Sequence, residues 1–191
     1  GQTTISDDEI AYKEGTATLY TFKYSKDFPI SISTTRPETK VGDTAVAVHP
    51  DDPRYKEFVG KEYDADFAGP KLHIKIVADE SVDKEYGTGA FGVTPAHSTG
   101  DFELAQKHGL PLKQVINEYA RMTDEAGALL AGQKTKEARG TIVAWLREQG
   151  LLESEKEVSQ NLSTSERTGA AVEPLPKLQW FISVNSKFKI P

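Results

Sequence analysis

No cysteine occurs in this chain of 191 residues, and methionine occurs once. Without thiols there is no disulfide framework, thiol nucleophile or zinc ribbon, so the sequence predicts neither secretion nor redox chemistry and fits a reducing, cytoplasmic setting. Long apolar runs are missing as well. Nothing approaches the roughly 18 apolar residues that a membrane span requires, and the opening GQTTISDDEIAYKEG is polar and acidic, with no apolar signal core. No membrane association is expected. Positive charge is scarce: 23 Lys and Arg face 29 Asp and Glu, a net charge of -6. Counterion release needs clustered cations, so any nucleic-acid partner has to be held mainly by something else. The four histidines, His49, His73, His97 and His108, fall on different segments without metal-ligand spacing. No metal or other cofactor is expected, and with no GxSxG elbow a hydrolase of this sequence would use water as its nucleophile.

What is present suits one globular domain over residues 1–191. Apolar residues make up 37%, and glycine brings the share to an ordinary value. Alternating β-branched and aromatic residues predict a strand over Gly15–Tyr24, and a second alternation runs over Pro29–Thr35. Thr44–Val48, Leu72–Val77 and Ala90–Thr94 read as further short strands bounded by Gly and Pro. Residues Asp51–Gly69 read as a loop with a short helix over Pro53–Phe58. The period then changes. Ser98–Gly109 and Thr135–Gln149 carry helical stripes with glycine stops, Asn117–Gln133 reads as loops, and Ser154–Arg167 is poor in apolar residues. Leu178–Val184 is a last strand candidate. Several β segments with two segregated helices predict an α+β fold.

Gly87-Thr-Gly-Ala-Phe-Gly92 matches the dinucleotide fingerprint by letter only, because Gly92 runs into Val93-Thr94-Pro95 and opens no helix. It reads as a Gly-rich turn. Thr94-Pro-Ala-His-Ser-Thr-Gly-Asp101 carries a strand end into a helix start, where backbone N–H groups are unpaired. There Asp101 is either a capping-box partner of Ser98 or a functional carboxylate. His97 is a general base, an orienting group or a packed ring. Thr34-Thr35-Arg36-Pro37 leaves a strand at a proline that forces Arg36 out of helical geometry, suited to a polar ester or carboxylate-like group, or simply a solvated turn. Asp43 offers another carboxylate, or turn chemistry.

Taken together, Thr34-Thr-Arg-Pro-Glu-Thr39, Gly42-Asp-Thr-Ala-Val-Ala-Val-His-Pro50, Gly87-Thr-Gly-Ala90 and Val93-Thr-Pro-Ala-His97, followed by Asp101-Phe102, resemble the editing domains of class I aminoacyl-tRNA synthetases. TTRPET followed by GDTAVAVHPDDPRY is most like the valyl type; the leucyl type would read TTRPDT and the isoleucyl type a TTTPWT-like motif. Thr168–Leu175 and Gln179–Phe181 resemble that type's return toward its catalytic core, placed at about residues 170–191. The resemblance implies a β-barrel-like core with flanking helices, inserted in a longer synthetase chain. It implies hydrolysis of threonine wrongly esterified to valine tRNA, with the tRNA 3′ end and the rest of the synthetase as partners.

By position it implies that Asp101 binds the substrate ammonium, that Thr94 faces the pocket and that His97 orients substrate or water. Thr34, Thr35 and Arg36 would contact the terminal adenosine or the ester, and Tyr86 would stack on the adenine. Asp43, Gly92 and Ser98 would complete the substrate site. Two positions depart from that pattern: Gly92 stands where lysine is usual, and Ser98 where aspartate is usual. Two other readings remain open at this stage, a degenerate editing fold that only holds the tRNA 3′ end and an editing domain of isoleucyl or leucyl specificity.

Overall fold

The computed structural model describes residues 9–169 and 172–176, so the strand expected at Leu178–Val184 lies outside the described residues. In chain order the regular elements are β1 (Ile10–Phe22), β2 (Ile32–Thr34), β3 (Ala45–Val48), β4 (Glu62–Asp66), β5 (Lys71–Ala78), β6 (Ala90–Val93), α1 (Thr99–His108), α2 (Thr135–Glu148) and β7 (Leu152–Ser165). A 3-10 turn over Pro37–Gly42 joins β2 to β3.

The strands form two open sheets, β2-β1-β7 and β4-β5-β3-β6. The α+β class expected from the sequence is what folds. The barrel-like core is not: among the described residues neither sheet closes on itself, and β2 and β6 approach across the gap without a shared ladder. Closure would need continuous hydrogen-bonded pairing around the ring, whereas β1 instead runs out of the core beside β7, from Phe22↔Leu152 to Ile10↔Ser165.

The apolar TAVAV run is explained by its place. β3 lies between parallel β5 and antiparallel β6, and all four of its residues are buried. Val46 and Val48 face the main core, while Ala45 and Ala47 face a smaller cluster with Val77, Val93 and Leu104 of α1. A strand covered on both faces carries no polar alternation. In the main core the Phe67 ring stacks on Phe22 at 5.6 Å and meets Trp145 of α2 edge-on at 5.4 Å. α2 adds Ala138, Ile142, Val143 and Leu146.

An ion pair with its carboxylate end buried ties α2 to the 3-10 turn. Glu38 is fully buried and accepts from Arg139 Nε at 2.9 Å and Nη2 at 2.6 Å. This fork fixes the turn that follows Arg36. On the opposite side, Asp79 at the end of β5 accepts from Lys107 at 2.8 Å and pairs with the His108 ring at 2.9 Å, so the last turn of α1 is pinned to the sheet. The Lys107 hydrogen bond, with His108 and Ser81 assisting against burial, holds the Asp79 carboxyl well below the usual carboxylate range. A depressed carboxyl contributes stability above its unfolded value near pH 4 and loses it as pH falls further. Asp79→Asn is therefore expected to flatten the acid limb of stability below about pH 4, measured by urea denaturation; an unchanged limb would show that Asp79 carries none of it.

Two local readings differ from expectation, the first being Glu62–Asp66, which forms β4 inside the segment expected as a loop. Pro53–Phe58 forms turns rather than a helix. The Asp52 carboxylate accepts from the Arg54 backbone N–H at 3.0 Å and from its guanidinium at 2.6–3.1 Å, offering the backbone a local alternative. No helix among the described residues is long and apolar enough to cross a membrane.

Candidate functional site

The sequence around Thr34 and the sequence around Asp101 meet at one cavity of about 180 Å³. Thr34, Thr35 and Arg36 come from the end of β2, Thr39 and Lys40 from the 3-10 turn, Phe91, Gly92 and Thr94 from β6 and its exit, and His97, Ser98 and Asp101 from the start of α1. It is smaller than the roughly 300 Å³ at which drug-sized sites begin, which suits a small moiety. Eight of the ten site residues expected from the sequence line it; Asp43 and Tyr86 do not.

Ser98 caps α1, its hydroxyl accepting from Asp101 N at 3.3 Å. Asp101 does not reach back to Ser98 N as in a reciprocal capping box. Its Oδ2 accepts from Thr94 N at 2.7 Å and its Oδ1 from the Ser98 hydroxyl at 3.0 Å. The carboxylate thus clamps the end of β6 to the first turn of α1, with a second lone pair on each oxygen for the cavity. It is part-buried, and the α1 N-terminus favours its charge.

His97 is 1% exposed. Its Nε2 accepts from Val115 N at 2.9 Å and Ile116 N at 3.2 Å, so that nitrogen is unprotonated and its lone pair is spent on backbone. The proton therefore sits on Nδ1, which is buried near Pro174 and finds no well-aligned hydrogen-bond partner among the described residues. Burial first, and then the charge of Arg36, pull the ring down to about 4, with the Pro174 carbonyl opposing. The ring therefore docks the 115–116 segment under the site, and its lone pair is unavailable to a water in the cavity.

Arg36 stands where the proline was expected to hold it, at φ -128° and ψ 64°. Its backbone N–H donates to Thr34 Oγ1 at 3.0 Å, and its guanidinium donates to the His97 carbonyl at 3.2 Å and pairs with Glu173. The cavity rim thus carries a cation with a carboxylate already seated on it.

Behind the wall lies a buried polar network that sequence reasoning missed. Lys40, 5% exposed, donates to Asp43 Oδ1 at 3.1 Å, the Gly92 carbonyl at 2.7 Å and Thr94 Oγ1 at 2.7 Å. Asp43 also accepts from the hydroxyls of Thr94 and Tyr24. Burial pushes the Tyr24 phenol and the Asp43 carboxyl up, and Lys40 draws Asp43 back. The only sequence signal was the three-residue spacing of Lys40 and Asp43; nothing in it announces that a lysine and an aspartate will both be buried. Gly92 is required here, because a Cβ at that position would run into the Asp43 carboxylate and the Tyr24 hydroxyl.

A neighbouring hollow of about 200 Å³ shares Phe91 with the first and is lined by Ser33, Val82, Asp83, Tyr86, Gly89 and Ala90. Tyr86 is 48% exposed there. The Gly-rich turn that shapes this hollow has Gly87 at φ +60° and Gly89 at φ +74°, left-handed geometry, and feeds β6 rather than a helix. The nucleotide fingerprint is thereby set aside. Among the described residues no group of three or more His, Asp or Glu is placed to hold a metal ion.

Comparison with known proteins agrees with this arrangement of motifs. A family profile described as "Leucyl-tRNA synthetase, editing domain" matches residues 67–161. The chain belongs to the editing domains of class I aminoacyl-tRNA synthetases. Within that class its similarity is to valine–tRNA ligases: those of Halalkalibacterium halodurans and Geobacillus kaustophilus are each 44% identical over 96% of this chain. That of Aquifex aeolicus is 42% identical over 96% of it. The chain spans about a fifth of the length of these relatives, 21%, 21% and 17%. A LeuRS from Agrobacterium radiobacter, crystallised in a ternary complex with tRNA and LeuAMS, aligns at 20% identity and TM-score 0.49 over 81% of this chain and 21% of its own.

Proposed function

We propose that this chain hydrolyses the ester of threonine mischarged on valine tRNA. The observation that carries the reading is the acceptor character of the cavity: Asp101 presents free lone pairs beside Thr94, 2.7 Å from its backbone N–H, with Arg36 and the Thr34-Thr35 pair at the rim. A carboxylate there suits the α-ammonium of an aminoacyl ester through a charge-assisted hydrogen bond. A hydroxyl donor on the side chain finds an acceptor, whereas valine would leave buried polar groups unpaired. A synthetic site built for valine rejects threonine by only about 100-fold, which is why a second, polar site is needed; valyl-tRNA synthetase is itself the standard illustration of that limit.

In this reading the adjacent hollow at Tyr86 takes the terminal adenine and Arg36 steadies the ribose or the ester. Water adds to the carbonyl carbon, the bond to the ribose oxygen breaks, that oxygen takes a proton, and free threonine leaves. The committed lone pair of His97 puts the weight on positioning of the water and on hydrogen bonds to the developing oxyanion from backbone N–H groups or the rim threonines. A longer synthetase chain would supply most of the tRNA affinity, since the net charge here is -6.

That commitment of the ring's lone pair favours one alternative, a fold that binds the tRNA 3′ end without cleaving it. Incubating the chain with threonyl-tRNA and valyl-tRNA of the same valine acceptor separates the two. Release of threonine at least tenfold faster than valine is the expected result. No release of either supports the binding module, and equal release of both rejects the threonine assignment.

A further inference from the structure

The three donors of Lys40 are all used within the wall of the cavity. They reach Asp43 Oδ1, the Gly92 carbonyl and Thr94 Oγ1 at 3.1, 2.7 and 2.7 Å. An ammonium only donates, so Thr94 Oγ1 must accept from Lys40. Its own proton goes to Asp43. Asp43 is in turn occupied by the Tyr24 hydroxyl on its other oxygen. A hydroxyl has one proton and two lone pairs; with the proton and one pair spent, Thr94 has a single lone pair left for the cavity it lines.

We propose that Lys40, paired with Asp43, is a specificity-determining positioning residue: it locks the Thr94 hydroxyl as a pure acceptor, so that the cavity selects side chains that donate a hydrogen bond. Gly92 belongs to the same device. Its missing side chain leaves the space that the Asp43 carboxylate and Tyr24 hydroxyl fill, and its carbonyl takes the third Lys40 proton. Freed from Lys40, the Thr94 hydroxyl could turn, donate as well as accept, and discriminate less. The inference rests on the threonine reading above and adds the atom that enforces it.

The test uses this chain and two non-hydrolysable probes, amide-linked threonyl-adenosine and its valyl counterpart, with affinities from calorimetry. The wild-type chain is expected to prefer the threonyl probe, and Lys40→Met to reduce that preference at least tenfold. Thr94→Val should lose a similar share, and Lys40→Met in the Thr94→Val background should lose no more, because residues acting through one atom are not additive. Should Lys40→Met melt below the assay temperature, Lys40→Met with Asp43→Asn removes both charges and is read in the same way. A Lys40→Met chain that keeps the wild-type preference, or losses that multiply with Thr94→Val, overturns the inference alone. A wild-type chain with no preference overturns the threonine reading, and the inference with it.

Discussion

Asp101→Ala is expected to lower hydrolysis of threonyl-tRNA by roughly a hundredfold or more. Losing one partner of a desolvated charge pair costs about 2–5 kcal/mol, and 2.7 kcal/mol at the transition state is a factor of about 100. The same substitution also removes the clamp on Thr94 N and the Ser98 hydroxyl, so the loss of rate alone would not separate chemistry from folding. Asp101→Asn does. Its amide oxygen can still accept from Thr94 N while the negative charge is gone, so its melting temperature should stay near wild type and its rate should fall nearly as far. If Asp101→Asn hydrolyses threonyl-tRNA like wild type, the carboxylate does not bind the substrate ammonium. If instead both variants unfold early, Asp101 is chiefly a brace between β6 and α1.

Stability should fall by about 3 kcal/mol between pH 6.5 and pH 4, from His97 alone. The folded ring is held down to about 4, while an unfolded histidine titrates near 6.5. Between those values the unfolded chain binds a proton that the native ring refuses, so stability rises with pH across the window and is lost on acidification through it. Two and a half units correspond to roughly 3 kcal/mol. Asp79 acts below this window, and Asp43, raised by burial, acts in the opposite sense; comparison with His97→Gln cancels both. That variant should be less stable at pH 7 and much flatter from 6.5 to 4 in urea denaturation. A variant as steep as wild type would assign the slope to other groups.

The sequence made the core strands and both helices legible because their residues answer to burial. TAVAV, LHIKIV and the stripes of α1 and α2 have apolar periods that only a covered face requires. β4 and β7 were not legible for the converse reason. Ala65 is the only buried residue of β4, and among the described side chains of β7 only Thr164 and Ser165 are buried; such strands owe their form to the ladder with a partner, which no local period encodes. Even β1 switches face near its end, where the register shifts between Thr21 and Phe22 and turns Phe22 into the core.

The site divides along the same line. Thr34, Thr35 and Arg36, and again Thr94, His97, Ser98 and Asp101, are near neighbours in sequence, and each cluster sits at a strand end where side chains converge. Their meeting follows from β2 and β6, each at the edge of its sheet, lying close together. What stayed hidden was the network of Tyr24, Lys40 and Asp43, whose polar atoms are buried because they satisfy one another. His97 was open between base, orienter and packed ring until its two backbone donors were seen.

Ile10 and Ser165 are cross-strand partners at the far end of the β1–β7 ribbon. Partnered Cα atoms in such a pair lie roughly 5 Å apart, yet the chain does not depart there: past Ser165 it doubles back, Val172 N donating to the Ser163 carbonyl at 3.1 Å and Glu173 pairing with Arg36 at the cavity rim. Tension on the outgoing chain would therefore be felt at Arg36, coupling the way this unit is held in a longer chain to the shape of its site.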